Sequence, residues 1–138
     1  MKKFICSIAI AAIVLQACNT KNDYEAVFSN PLLYSNITNQ LTEVITYDIF
    51  TPPVASRIYA YGHLAAYEVM AHGNTKYSTL NGQLKDWENV PSPPAGAPIQ
   101  YQFAATLALM QIGEALTFSK ETTVAIIDSL HQLAKNHG

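Results

Sequence analysis

Thr51-Pro52-Pro53-Val54-Ala55-Ser56-Arg57-Ile58-Tyr59-Ala60-Tyr61-Gly62-His63-Leu64-Ala65-Ala66-Tyr67-Glu68-Val69-Met70-Ala71-His72-Gly73 is the stretch that decides the fold class. Thr51 can cap a helix, and Pro52 brings the φ of a first helical turn already set. From about Val54 to Ala71 no breaker interrupts the pattern, and Gly73 suits a C-terminal stop. Val54, Ile58, Tyr59, Tyr61, Leu64, Ala65, Ala66, Tyr67, Val69 and Met70 fall on nearly the whole circumference. A helix apolar all round is one enclosed by others.

The flanking sequence supplies those others. Asn30 suits an N-cap and Pro31 a first helical position. Leu33, Ile37, Leu41, Val44, Ile45 and Ile49 then recur at helical spacing, predicting an amphipathic helix that ends near Phe50. Residues 73–97 read as a long irregular connection, with a turn at Asn81-Gly82 and an extended path through Pro91-Ser92-Pro93-Pro94. Trp87 is the residue that would pin this connection to the body. Pro98 opens a third, mostly apolar helix through about Phe118, carrying Ile99, Phe103, Leu107, Leu109, Met110, Ile112 and Leu116. Ser119 can cap a fourth, with Glu121 favourable in its first turn and Val124, Ile127, Leu130 and Ala134 as its stripe.

About four helices and no strand pattern make the chain all-α. Two helices apolar nearly all round cannot both be enclosed by two amphipathic ones. The expectation is therefore the N-terminal part of a larger helical bundle, or a chain that pairs with another copy of itself.

The first residues carry an address. Lys2 and Lys3 precede an apolar run, Phe4 to Leu15, that ends in Leu15-Gln16-Ala17-Cys18. A positive segment, a short apolar segment and a small residue before the cut make a secretory signal. The run is too short to cross a bilayer core of about 30 Å as a helix. A cysteine directly after the small residue resembles a bacterial lipoprotein signal, in which the thiol is acylated. Residues 1–17 are then the signal, Cys18 the lipid attachment site and 18–29 a polar tether. Residues 30–138 form the helical region. The protein is placed in the cell envelope outside the cytoplasm, on a membrane through its lipid. An ordinary secretory signal with an incidental cysteine is the plainer alternative.

Charge and cysteine usage exclude whole classes. Without Lys2 and Lys3, six of the eight basic residues remain against ten acidic ones, with Arg57 the single arginine. Nucleic-acid binding needs clustered Lys and Arg to neutralise phosphates, so none is expected. Cys6 leaves with the signal and Cys18 is acylated, which leaves no disulfide and makes packing the source of stability.

No Gly-rich phosphate loop, Gly-x-Ser-x-Gly elbow or cysteine nucleophile is present. Glu68 and His72 share a helix face at i,i+4, but two ligands do not make a metal site. They read as the polar edge of a buried helix. His131 and His137 read as surface residues near a helix C-terminus. Asp23 with Glu25, and Asp86 with Glu88, read as solvated charges.

Asp48-Ile49-Phe50-Thr51-Pro52-Pro53-Val54-Ala55-Ser56-Arg57-Ile58-Tyr59-Ala60-Tyr61, continuing Ala65-Ala66-Tyr67-Glu68, resembles the N-terminal helical region of bacterial vanadium-dependent haloperoxidase-like proteins, of the type 2 phosphatidic acid phosphatase superfamily. Tyr77-Ser78-Thr79-Leu80-Asn81-Gly82-Gln83-Leu84 and Ala115-Leu116-Thr117-Phe118-Ser119 fit as well. The resemblance implies vanadate or phosphate held by three motifs: Lys-x6-Arg-Pro, Pro-Ser-Gly-His and Ser-Arg-x5-His-x3-Asp. Lys and Arg would neutralise the oxyanion while His attacks or ligates. In a haloperoxidase, vanadate activates peroxide to oxidise halide.

The first two motifs are missing. Ile58 follows Arg57, and Pro93-Pro94 follows Pro91-Ser92. Ser56-Arg57 and His63 match the third in part, with Tyr67 where Asp belongs. Arg57 and His63 are thus the only catalytic candidates, and no catalytic, cofactor-binding or metal residue is expected to act in this chain. The plainer roles are an Arg57 pair with a carboxylate such as Asp48 and a satisfied core position for His63. The expectation is the N-terminal part of a lipid-anchored haloperoxidase-like protein whose catalytic half lies elsewhere. The rival is a complete, small, non-enzymatic helical lipoprotein that binds a partner or supports the envelope.

Overall fold

The computed structural model describes residues 23–87 and 90–137. The signal segment, Cys18, the start of the tether, Glu88 and Gly138 lie outside the described residues. Five helices follow in order: α1 (Tyr24–Phe28), α2 (Pro31–Tyr47), α3 (Pro52–Gly73), α4 (Tyr101–Leu116) and α5 (Lys120–His137). No strand occurs among the described residues, so the fold is all-α. No helix among them is long and apolar enough to cross a membrane.

The four long helices are the expected ones, with their ends moved by local chemistry. Asn30 caps α2, its Oδ1 accepting the Leu32 N–H at 3.0 Å. The helix stops at Tyr47 rather than near Phe50. Ile49 adopts φ +56°, its N–H donates to the Thr46 carbonyl, and the Phe50 N–H donates to the Ile45 carbonyl. This paired closure is the one glycine usually makes, because the left-handed backbone crowds a Cβ at a cost of about 1–2 kcal/mol. Ile49, expected on the buried stripe, instead stands in solvent.

Helix α4 begins at Tyr101 and not at Pro98. Gln100 is the residue that caps it, its Oε1 accepting the Phe103 N–H at 2.6 Å. The buried face of α5 is also displaced from the expected stripe. Thr123, Ile126 and Leu130 are buried while Val124 is exposed. Thr123 enters the core because its hydroxyl is satisfied by the Lys120 carbonyl at 3.0 Å.

Part of the expected tether is structured. Tyr24–Phe28 is helical, and the buried Phe28 ring packs 4.5 Å from Phe103. Burying this large apolar side chain favours docking of the segment onto the body.

Helices α3 and α4 form the most extensive pairing, with α2 and α5 packed on α4. Glycines set the separations. A Cβ on Gly62 of α3 would lie 2.7 Å from Leu109 Cδ1, and one on Gly113 of α4 would lie 2.8 Å from Leu41 Cδ1. Leu41, Leu109 and Met110 are completely buried in the resulting core. The outer faces of α3 leave Tyr61 and Tyr67 in contact with water, so its apolar circumference is only partly enclosed.

Candidate functional site

Tyr34 stands on the first turns of α2 and His63 in the middle of α3. The fold brings the Tyr34 hydroxyl 2.7 Å from His63 Nδ1. Burial pushes the Tyr34 phenol above its ordinary value, so the hydroxyl keeps its proton, and it shares one hydrogen bond with His63 Nδ1. Tyr59 stacks on the same imidazole at a centroid distance of 6.4 Å.

The pair sits on the wall of a cavity of about 630 Å³ that also involves Phe28, Pro31, Met70 and Tyr77. Helices α2, α3 and α4 supply most of the wall, and Ala66, Ala105 and Thr106 line it as well. Tyr77 comes from the long connection, which is tied down from α3. The Tyr67 hydroxyl donates to the Ser78 carbonyl at 2.9 Å. The buried Glu68 accepts the Leu80 N–H at 2.9 Å. The turn at Asn81-Gly82 closes through the Gln83 N–H and the Leu80 carbonyl, with Gly82 at φ +72°.

The two catalytic candidates are not brought together. His63 lines the cavity, whereas Arg57 is exposed and absent from its wall. The expected Arg57–Asp48 pair does not form. Asp48 Oδ2 instead accepts the N–H groups of Phe118 and Ser119 at 2.6 and 3.1 Å, and Oδ1 accepts the Ser119 hydroxyl at 2.5 Å. Desolvation pushes this carboxyl up, but the Ser119 hydroxyl and the two N–H groups outweigh it and hold it below its ordinary value. The entry to a helix is an electropositive place, which favours the carboxylate there.

Glu68 acts as a strap for the connection, and its Oε1 and His72 Nε2 have no hydrogen-bond partner among the described residues. No group of three metal-ligating side chains occurs among the described residues. His131 is exposed and meets the edge of Phe103 at 6.5 Å. His137 does more than its position suggested, since its Nδ1 lies 2.6 Å from Asp23 Oδ1 and joins the end of α5 to the start of α1. Trp87 is half-buried, and its buried Nε1 has no hydrogen-bond partner among the described residues.

An oxyanion such as vanadate needs several cationic and N–H donors converging on one point. The cavity around His63 offers none of the former: no Lys or Arg is on its wall, which is mostly apolar. The residues present do not fit the group, and no step of its chemistry is assigned to them.

What sequence reasoning missed was the partner of His63 and the partner of Asp48. Tyr34 is 29 positions from His63, and Ser119 is 71 from Asp48. No local spacing signals contacts at that range.

These helices define an all-α body with one glycine-tightened core and an apolar cavity beside it. The body is haloperoxidase-like in fold. It is similar to the crystal structure of a bacterial vanadium-dependent iodoperoxidase at 38% identity and a TM-score of 0.71, over 75% of this chain. The matched region spans 25% of that iodoperoxidase chain. No protein-family model and no curated protein matches the sequence.

Proposed function

We propose that this chain is the N-terminal helical part of a lipid-anchored, vanadium-dependent haloperoxidase-like protein. The observation that carries it is the similarity to the iodoperoxidase over 75% of this chain but 25% of that one. Helices shared at 38% identity are more than a common architecture, and the neighbour's activity favours a haloperoxidase over a phosphatase. The activity in question is oxidation of a halide by peroxide with vanadate bound. The cationic residues that would hold vanadate belong to polypeptide outside residues 1–138, because Arg57 stands alone and away from His63. Attachment through Cys18 in the cell envelope is supported by the sequence layout Met1 to Cys18.

The test is to express the complete reading frame that contains this sequence. The expected product oxidises iodide or bromide with peroxide only when vanadate is supplied, and the 138-residue chain does neither. Labelling with a radioactive fatty acid should mark the protein and fail on Cys18→Ser. A complete frame without vanadate-dependent oxidation would leave the non-enzymatic lipoprotein as the better reading.

A further inference from the structure

Ile49 is out of place by every local criterion. Its position in the closure of α2 suits glycine or asparagine, and its φ of +56° crowds a β-branched side chain. The strain is not repaid within the chain, because the side chain is 87% exposed. Tyr47, two positions earlier, is 80% exposed, and Phe118 is 74% exposed. The three are neighbours: Asp48, between Tyr47 and Ile49, accepts the Phe118 N–H at 2.6 Å. The Phe118 ring also packs 4.8 Å from Phe50. The corner therefore carries three exposed apolar side chains on backbone that the Asp48 carboxylate ties together.

Its surroundings are acidic. A neighbouring depression that shares Tyr47 and Ser119 is lined by Glu43 and Glu121 and by no Lys or Arg. Lys120, the next cation along the chain, is turned to the Glu114 carbonyl.

We infer that Tyr47, Ile49 and Phe118 form the docking corner for the remainder of the same haloperoxidase-like polypeptide, through an apolar helical edge flanked by Lys or Arg. This rests on the reading proposed above. The occupant follows from length: 25% of the iodoperoxidase chain is matched here, so such a protein carries far more chain than these helices.

The experiment compares the complete reading frame with the 138-residue chain by hydroxyl-radical footprinting and thermal unfolding. Tyr47 and Phe118 should be modified at least fivefold more slowly in the complete protein. Ile49→Gly should reverse in sign between the two. It should raise or preserve the unfolding midpoint of the 138-residue chain, where it relieves the backbone, and lower that of the complete protein, where it removes a buried contact. Tyr47→Ser should be silent in the short chain and lower the midpoint in the long one. Equal footprinting in both, with vanadate-dependent oxidation intact, would overturn the docking corner and leave the haloperoxidase reading standing. Concentration-dependent protection in the short chain would also overturn it, by assigning the corner to a second copy. A complete frame lacking that oxidation would remove the reading and the inference together.

Discussion

Asp48, just beyond the last turn of α2, accepts both the N–H and the hydroxyl of Ser119 at the entry to α5. One carboxylate thereby joins the end of one helix to the start of another, across 71 positions of sequence.

Removing this carboxylate should loosen the corner. Asp48→Ala is expected to cost about 1–3 kcal/mol, the range for charge-assisted bonds whose donors lose their partner. Chemical denaturation of the variant against the parent measures it. Asp48→Asn should cost less, since its amide oxygen still accepts.

The same group makes stability depend on pH with a definite sign. Its carboxyl is held below the ordinary value in the folded protein, so the unfolded chain binds a proton first as pH falls. The contribution is complete above the unfolded value of about 3.9 and is lost as pH drops through the lower folded value. The stability difference between parent and Asp48→Asn, measured from pH 7 to pH 2, should therefore shrink only in the acid part of that range. A difference that persists unchanged to pH 2 would contradict the assignment.

Close helix approach should be intolerant of a methyl group. Gly113→Ala puts a Cβ 2.8 Å from Leu41 Cδ1, in a core where Leu41 has no exposed surface. The helix-propensity gain of alanine, about 1 kcal/mol, is opposed by overpacking of about 1–3 kcal/mol. Net destabilisation is expected by thermal unfolding. Gly113→Ala combined with Leu41→Val should recover part of it, because the shorter side chain vacates the contested space.

Tyr34→Phe removes the hydroxyl bonded to His63 Nδ1 and should cost about 0.5–1.5 kcal/mol. The sharper readout is the ¹⁵N shift of His63 Nδ1. It should move on Tyr34→Phe, and it should not move on Tyr61→Phe, whose ring is exposed and away from this cavity wall.

Glu68 holds the connection at Leu80. Glu68→Ala should free the turn around Asn81-Gly82, and limited proteolysis there should speed up while cleavage within α4 does not. If the whole chain becomes equally sensitive, Glu68 matters to the global fold and the local role is wrong.

Much of the fold was legible in the sequence because it rests on local rules. Pro31 with its Asn30 cap, and Pro52, mark where two helices begin, since each acts within a turn; Thr51, expected to cap, makes no side-chain cap bond. The buried positions Ile37, Leu41, Val44 and Ile45 follow from the 3.6-residue period alone. Errors arose where a local pattern met a distant partner. Val124 fits the α5 stripe, yet the buried face is set by α4 and α2, and Thr123 is admitted because Lys120 satisfies its hydroxyl. Phe28 looked like part of a tether because its partner, Phe103, is far along the chain.

By itself, the sequence determined the helix class, the main boundaries, the resemblance to haloperoxidase-like proteins and the absence of a clustered oxyanion motif. All of these depend on residue identity and spacing within a few turns. Only the tertiary structure decided that His63 faces Tyr34 and not Arg57, that Asp48 serves Ser119, and that Ile49 points outward under strain. Those outcomes depend on how helices cross, and crossing is set by close packing around Leu41, Leu109 and two glycines, summed over contacts that no short window of sequence contains.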